Sequence, residues 1–197
     1  LLRQGRVHVG EATLTWLDEM RDAAPLILQD VDFTLSNVRR AYHLTLRAVP
    51  PATVARPLTI EAHLRSRDTD DIKTWNGSVD ASVAGVSLPR LSTWLALPYP
   101  TRQGWGALQV KFEVVRGAFA GMAAELDLRD IETTLGEGLP ALQLARMRGQ
   151  AMWSRGPDGQ RVAFENLRLA RPGGTLGAPF NAGLAWNAES RELTARA

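Results

Sequence analysis

Apolar residues recur at every second position through most of this 197-residue chain, and that period sharply limits what it can fold into. Leu44 and Leu46 keep the spacing, as do Leu58, Ile60, Ala62 and Leu64, and then Leu108, Val110, Phe112 and Val114. Thr, Arg, Glu, Gln, Lys and His fill the places between. Successive strand side chains point to opposite faces, so this pattern builds a sheet with one apolar face and one face in water. Turn-forming residues separate the runs at Ser36-Asn37, Pro50-Pro51, Asn76-Gly77, Arg116-Gly117, Gly156-Pro157-Asp158-Gly159 and Pro172-Gly173-Gly174. The expected fold is all-β and mostly antiparallel, an elongated or curled sheet of repeated hairpins.

One stretch departs from the period of two. From Ser87 to Pro98, Leu91, Trp94 and Leu95 fall at spacings of three and four, Pro89 suits a first helical turn and Pro98 blocks continuation. A single short helix near 89–96 is predicted. Residues 135–147 fit either a second helix or a loop entering a strand, because Gly136, Gly138 and Pro140 interrupt them. The chain opens on Leu1 rather than methionine, so it is expected to be a fragment of a larger β-rich domain. Within it, residues 1–197 form either one unit or two, 1–86 and 103–197, joined by a helical segment at 87–102.

The alternation also slips in a repeated way. In Pro25–Leu35, Leu26 and Leu28 share one parity, while Val31, Phe33 and Leu35 take the other. Leu126 and Leu128 are followed by Arg129-Asp130 and then Ile131; Val162 and Phe164 by Glu165-Asn166 and then Leu167 and Leu169. Each time a long polar residue and an Asp or Asn precede the slip, which predicts that the apolar face switches at Asp30, Asp130 and Asn166. Two structures would do this: a β-bulge, or a strand leaving one sheet for another. Trp16 ends the strand before the first slip and Trp153 the strand before the third, making a partial internal repeat.

Composition excludes several function classes. Lys and Arg total 23 against 21 Asp and Glu, interspersed, with no basic cluster of the kind nucleic acid requires. Lysine occurs only at Lys73 and Lys111, so arginine carries nearly all the positive charge. No cysteine is present, which removes disulfides and thiolate metal sites. No run reaches the ~18 apolar residues of a membrane span.

Chemistry-bearing motifs are also missing. His8, His43 and His63 lie far apart in strand-like runs, so a zinc site would need distant strands to converge, and no metal site is expected. Asp68-Thr69-Asp70-Asp71 lacks the glycine and distal glutamate of a calcium loop and reads as a solvated turn. Nucleophile elbow, phosphate loop and dinucleotide fingerprint are all absent. No catalytic residue is nominated and no cofactor is expected. Of the six tryptophans, Trp16 and Trp153 suit the ends of an open sheet, and Trp105, between two glycines, is expected to be partly exposed.

Several segments together resemble one family. They are Ala12–Asp18, Pro25–Val31, His43–Ala48 with Pro57-Leu58, Trp75-Asn76-Gly77, Leu91–Pro98, Gly104–Phe112 and Phe164–Leu167. In this order they are similar to the YhdP branch of the AsmA-like family of bacterial envelope proteins. The resemblance implies a non-enzymatic periplasmic segment of a parent anchored in the inner membrane. It further implies bridge-like transport of phospholipid between the two membranes of Gram-negative cells, along an apolar groove. On that reading Leu44, Leu46, Ile60, Leu64, Val110, Phe112, Leu126 and Leu128 line the groove or, alternatively, fill a small closed core. The runner-up is a compact β-sandwich that binds glycan or protein through exposed aromatics and the Asp68–Asp71 loop. Cut sheet edges are expected to self-associate by strand addition.

Overall fold

The computed structural model describes residues 5–18, 23–94, 100–134, 138–156, 159–186 and 193–196. They form one antiparallel sheet of eleven strands whose spatial order is the chain order, without a crossover. The first five strands are β1 (Arg6–Trp16), β2 (Leu26–Val38), β3 (Ala41–Val49), β4 (Leu58–Arg65) and β5 (Asn76–Ser87). A four-residue helix, α1 (Leu88–Leu91), leads to the longest strands, β6 (Thr101–Val115), β7 (Ala118–Thr133) and β8 (Leu142–Gly156). The sheet ends with β9 (Gly159–Ala170), β10 (Phe180–Trp186) and β11 (Leu193–Arg196). The chain is all-β.

Cross-strand pairing turns the sequence period into two chemically distinct faces. Leu46 pairs with Ile60, Ile60 with Ala81, Ala81 with Val110, Val110 with Ala124, Ala124 with Ala151 and Ala151 with Phe164. One residue along each strand, Thr45 pairs with Glu61, Glu61 with Asp80 and Asp80 with Lys111. Directly opposed residues share a face, so the first row is apolar throughout and the second polar. β5 and β6 pair directly, so both halves of the chain belong to the same sheet and α1 sits in the connection between them.

The parity slips are bulges. Asp30, Asp130 and Asn166 adopt left-handed backbone with φ of 48°, 50° and 52°. Asp and Asn tolerate that region better than most L-residues, because their short polar side chains bond locally. β2 gains one residue over β1 and β3 between Leu28 and Asp32, and β9 gains one over β8 and β10 between Phe164 and Arg168. At Asp130 the gain is against β6 alone; β8 makes the same slip between Leu144 and Met147, so its pairing with β7 stays regular.

The sequence predicts a switch of face at these points, and here the structure corrects it. Leu28 and Val31, which flank Asp30 on opposite parities, lie in one cluster with Ala48. Leu128 and Ile131 likewise share a cluster with Leu144. The inserted residue absorbs the change of parity, so the apolar side chains stay on one face while the strand bends and twists. Four further register shifts carry no such polar pair: β1 gains a residue between Val9 and Ala12, where Glu11 has φ 53°, β5 between Val83 and Val86, β6 between Thr101 and Gln103, and β7 between Phe119 and Gly121.

A deletion separates retained face from switched face. Without Asp30, Gln29 joins Val31, and Leu26, Leu28, Val31, Phe33 and Leu35 fall on a single parity. Deleting Asp30 is expected to change stability by no more than about 1 kcal/mol, because a left-handed residue that costs roughly that much disappears. Deleting Thr45 from the regular strand β3 turns half its leucines to water and is expected to cost several times more. Urea unfolding of the two variants makes the comparison, and equal losses would refute the bulge reading.

Two connections differ from expectation. The turn between β2 and β3 is not at Ser36-Asn37 but at Arg39-Arg40, both left-handed (φ 49° and 64°), between the paired Val38 and Ala41. This two-residue geometry matches the twist of the strands, although arginine is a poor residue for it. Within the described part of the helix expected over 89–96, the chain is α-helical at Leu88–Leu91 and then tightens, with Thr93 N–H donating to Arg90 O and Trp94 N–H to Leu91 O. Residues 95–99 lie outside the described residues. Of the 135–147 alternatives, the strand prevails from Leu142 onward.

The surface area shows how open this architecture is. The chain exposes 13621 Å², against about 9200 Å² for a compact monomer of its mass. Among the described residues no large side chain is fully buried. A buried cluster lies at one end of the apolar face, where Val54, Ala55, Val86 and Trp94 pack with Ala23, Leu26, Leu88 and Leu91. Trp94 is only 8% exposed, and its indole N–H donates to Ala24 O at 2.9 Å.

Candidate functional site

The apolar face is the feature that a solitary sheet has to explain, because no second layer of described residues lies over it. Two consecutive alanines on β7 show that the faces are inequivalent. Ala124 on the apolar face is 7% exposed, whereas Ala123 on the polar face is open to water. Side chains of equal size on one strand differ only in their surroundings. Large neighbours shelter one face and leave the other bare.

All eight residues expected to line a groove fall on this face. Leu46, Ile60 and Val110 lie in the row described above. Leu44 and Phe112 lie in the next row, joined through Ala62 and Val79. Leu64 lies beyond them, opposite Tyr42 and Gly77. Leu126 pairs with Leu108, and Leu128 with Gly106 and Met147. Seven of these are half-buried, the state of apolar groups packed sideways with nothing above them. Leu128, 4% exposed, instead belongs to a packed cluster with Ile131 and Leu144.

The face is broader than those eight residues. β5 adds Val79, Ala81 and Val83, β8 adds Ala151 and Trp153, and β9 adds Val162 and Phe164. Their alternation was visible in the sequence, but only strand pairing shows that they continue the same rows. β6 and β7, with 15 and 16 residues, run about 50 Å at ~3.4 Å per residue, longer than an extended acyl chain. The end beside Trp94 is capped. At the other end Phe119 is 59% exposed and meets Phe112 at 5.1 Å between ring centres.

Charges sit on the opposite face. Asp80 faces Lys111 at 3.8 Å. Arg146 grips Asp127 with two hydrogen bonds, Nε to Oδ1 at 2.9 Å and Nη2 to Oδ2 at 2.7 Å. The hydrogen-bonded Arg146 guanidinium holds the Asp127 carboxyl below its ordinary value of 3.8; burial opposes it, and the charges of Arg146, Arg148 and Arg129 add to the lowering. A lowered folded-state value means the pair stabilises fully above the unfolded value, and that its contribution is lost as pH falls through the lowered one. Asp127→Asn is expected to lower the urea midpoint at pH 7, with the gap to wild type closing in acid. A gap that persists at pH 2 would place the effect elsewhere.

The features that suggest a glycan or protein binder also have partners within the fold. Asp68 Oδ1 accepts from Asp70 N–H and Asp71 Oδ1 from Lys73 N–H, tying the turn before β5. Its Thr69 hydroxyl meets the Tyr42 hydroxyl at 3.0 Å, and the Trp75 ring lies tilted against the Tyr42 ring at 4.7 Å between centres. Trp105 is half-buried on the polar face and packs over Gly85, where a Cβ would meet the indole at 2.9 Å. Trp16 and Trp153 lie on the apolar face, so these tryptophans form no common platform. Trp153 is held by Gln160, its indole N–H donating to Oε1 at 3.1 Å.

One juxtaposition was hidden in the sequence. β3 and β4 pair His43 directly with His63, and their rings stack at 4.3 Å and 18°. Two adjacent strands thus bring together histidines twenty residues apart, where the sequence reading required distant strands to converge. His8 stands apart on β1, its Nδ1 3.2 Å from the Thr34 hydroxyl.

Among the described residues no helix is long and apolar enough to cross a membrane. Compared with known families, the chain matches the one described as YhdP protein over residues 1–197. Comparison with curated proteins and with solved structures found no match.

Proposed function

Because the chain belongs to the YhdP family, we propose that it is a non-enzymatic segment of an envelope lipid carrier whose apolar face holds acyl chains. The observation that carries this reading is the open apolar face itself, continuous in rows across the strands and kept on one side through the bulges at Asp30 and Asp130. A sixteen-carbon tail in water costs roughly 12 kcal/mol at ~0.8 kcal/mol per CH₂. A strip of Leu, Ile, Val and Phe offsets much of that cost, while the charged face stays in water. The parent is taken to be held in the inner membrane, with this segment in the periplasm passing phospholipid between the two membranes. Among the described residues β1 and β11 each pair on one side only, and their other edges offer backbone groups through which neighbouring segments, or second copies, add strands.

Displacement of a fluorescent fatty acid by phospholipid tests this directly, run beside a glycan array. Saturable displacement by phospholipid, with no response on the array, is the expected result. Glycan binding together with indifference to lipid would overturn the assignment in favour of a carbohydrate-binding module.

A further inference from the structure

We propose that His43, Glu61 and His63 form a binding site for a late first-row divalent metal ion, with zinc as the representative case, on the polar face of the sheet. Each residue presents one ligand atom, and these atoms all lie within 4.8 Å of one another. The placement follows from register: His43 stands opposite His63, and Glu61 lies two residues along β4 from His63, on the same face. The stacked rings each hold a nitrogen within 4.8 Å of the other's and of a Glu61 carboxylate oxygen.

Ligand chemistry sets the class of ion. Two imidazoles and a carboxylate suit zinc, copper and nickel, whereas magnesium and calcium require oxygen ligands throughout. Tetrahedral bonds of 2.0–2.1 Å put ligand atoms about 3.3 Å apart. All three side chains are exposed, so turning about their side-chain bonds can close the remaining gap without moving the backbone. Three protein ligands leave one position for water, and this face is open to solvent. Beside Glu61, Asp80 is occupied by Lys111 at 3.8 Å and by the Ser78 hydroxyl at 3.4 Å, so it stands by as a neighbour rather than a fourth ligand. Lys111, and Arg65 two residues beyond His63, add positive charge nearby that holds the affinity in a moderate range.

This site lies on the opposite face from the acyl-binding strip, so the two readings stand or fall separately. The chain has three histidines, which supplies an internal control. Titrating the untagged chain with zinc chloride in a calorimeter is expected to give one ion per chain. His43→Asn and His63→Asn are each expected to weaken binding by at least about tenfold, the scale of loss when a metal site is disturbed. Glu61→Gln should weaken it less, and His8→Asn should leave it unchanged. Cobalt(II) substitution should give visible absorption bands that vanish in His63→Asn. No saturable zinc binding, equal binding of magnesium, or an equal loss in His8→Asn would each overturn the proposal.

Discussion

Trp94→Ala is expected to cost about 3–5 kcal/mol, the range for emptying a large aromatic site in a packed core. Trp94 is the largest member of the cluster where α1, the loop at 51–57 and the segment before β2 meet over the end of the apolar face. It is also tied to Ala24 by its indole N–H. Truncation therefore removes both the packing and the tie. Trp94→Phe keeps most of the packing and should lose about 1 kcal/mol, the net worth of one hydrogen bond. Urea unfolding reads both losses. Hydrogen exchange should show the alanine variant opening at Val54–Arg56 and Val86–Ser87, while amides of β8 and β9 keep their protection. A loss below about 1 kcal/mol for Trp94→Ala would show that this end is not held by packing.

Ile60→Asp combined with Val110→Asp should weaken acyl-chain binding by well over tenfold while leaving the sheet folded. These residues stand in one row, separated only by Ala81. Both are half-buried, so aspartate there can still reach water in the free protein. A lipid tail laid across the row would remove that water, and stranding a polar group without a partner costs about 1–3 kcal/mol by mutational measure. Gln109→Ala is the control, next to Val110 in sequence but on the other face. Unchanged far-ultraviolet circular dichroism with abolished lipid displacement is the expected pair of results. Equal loss in Gln109→Ala, or none in the aspartate variant, would remove the apolar face from the binding mechanism.

What could be read in advance follows from which properties a single strand carries by itself. The period of two at Leu58–Leu64 and Leu108–Val114 is a property of one segment, and it led directly to an antiparallel sheet with unlike faces, though not to whether a second sheet covers the apolar one. The slips at Asp30, Asp130 and Asn166 were equally visible, yet their meaning was not. An inserted residue and an inverted face give the same parity change, and only the neighbouring strands distinguish them. The slip at Val83–Val86 passed unnoticed because Ala84-Gly85 lacks the polar pair that marked the others. Arg39-Arg40 defied turn chemistry, the tight fit of the hairpin overriding the poor preference of arginine for left-handed backbone. The groove residues were legible as a face but not in extent. The histidine pair was not legible at all, since it depends on β3 and β4 meeting in one particular register.

The order of the strands has a mechanical consequence. Among the described residues each strand pairs only with its immediate predecessor and successor in the sequence. Such a ribbon can assemble as the polypeptide is extruded, each new hairpin docking on the last without waiting for distant segments. Pulled from either terminus, it should peel strand by strand, yielding at many small forces rather than rupturing at one.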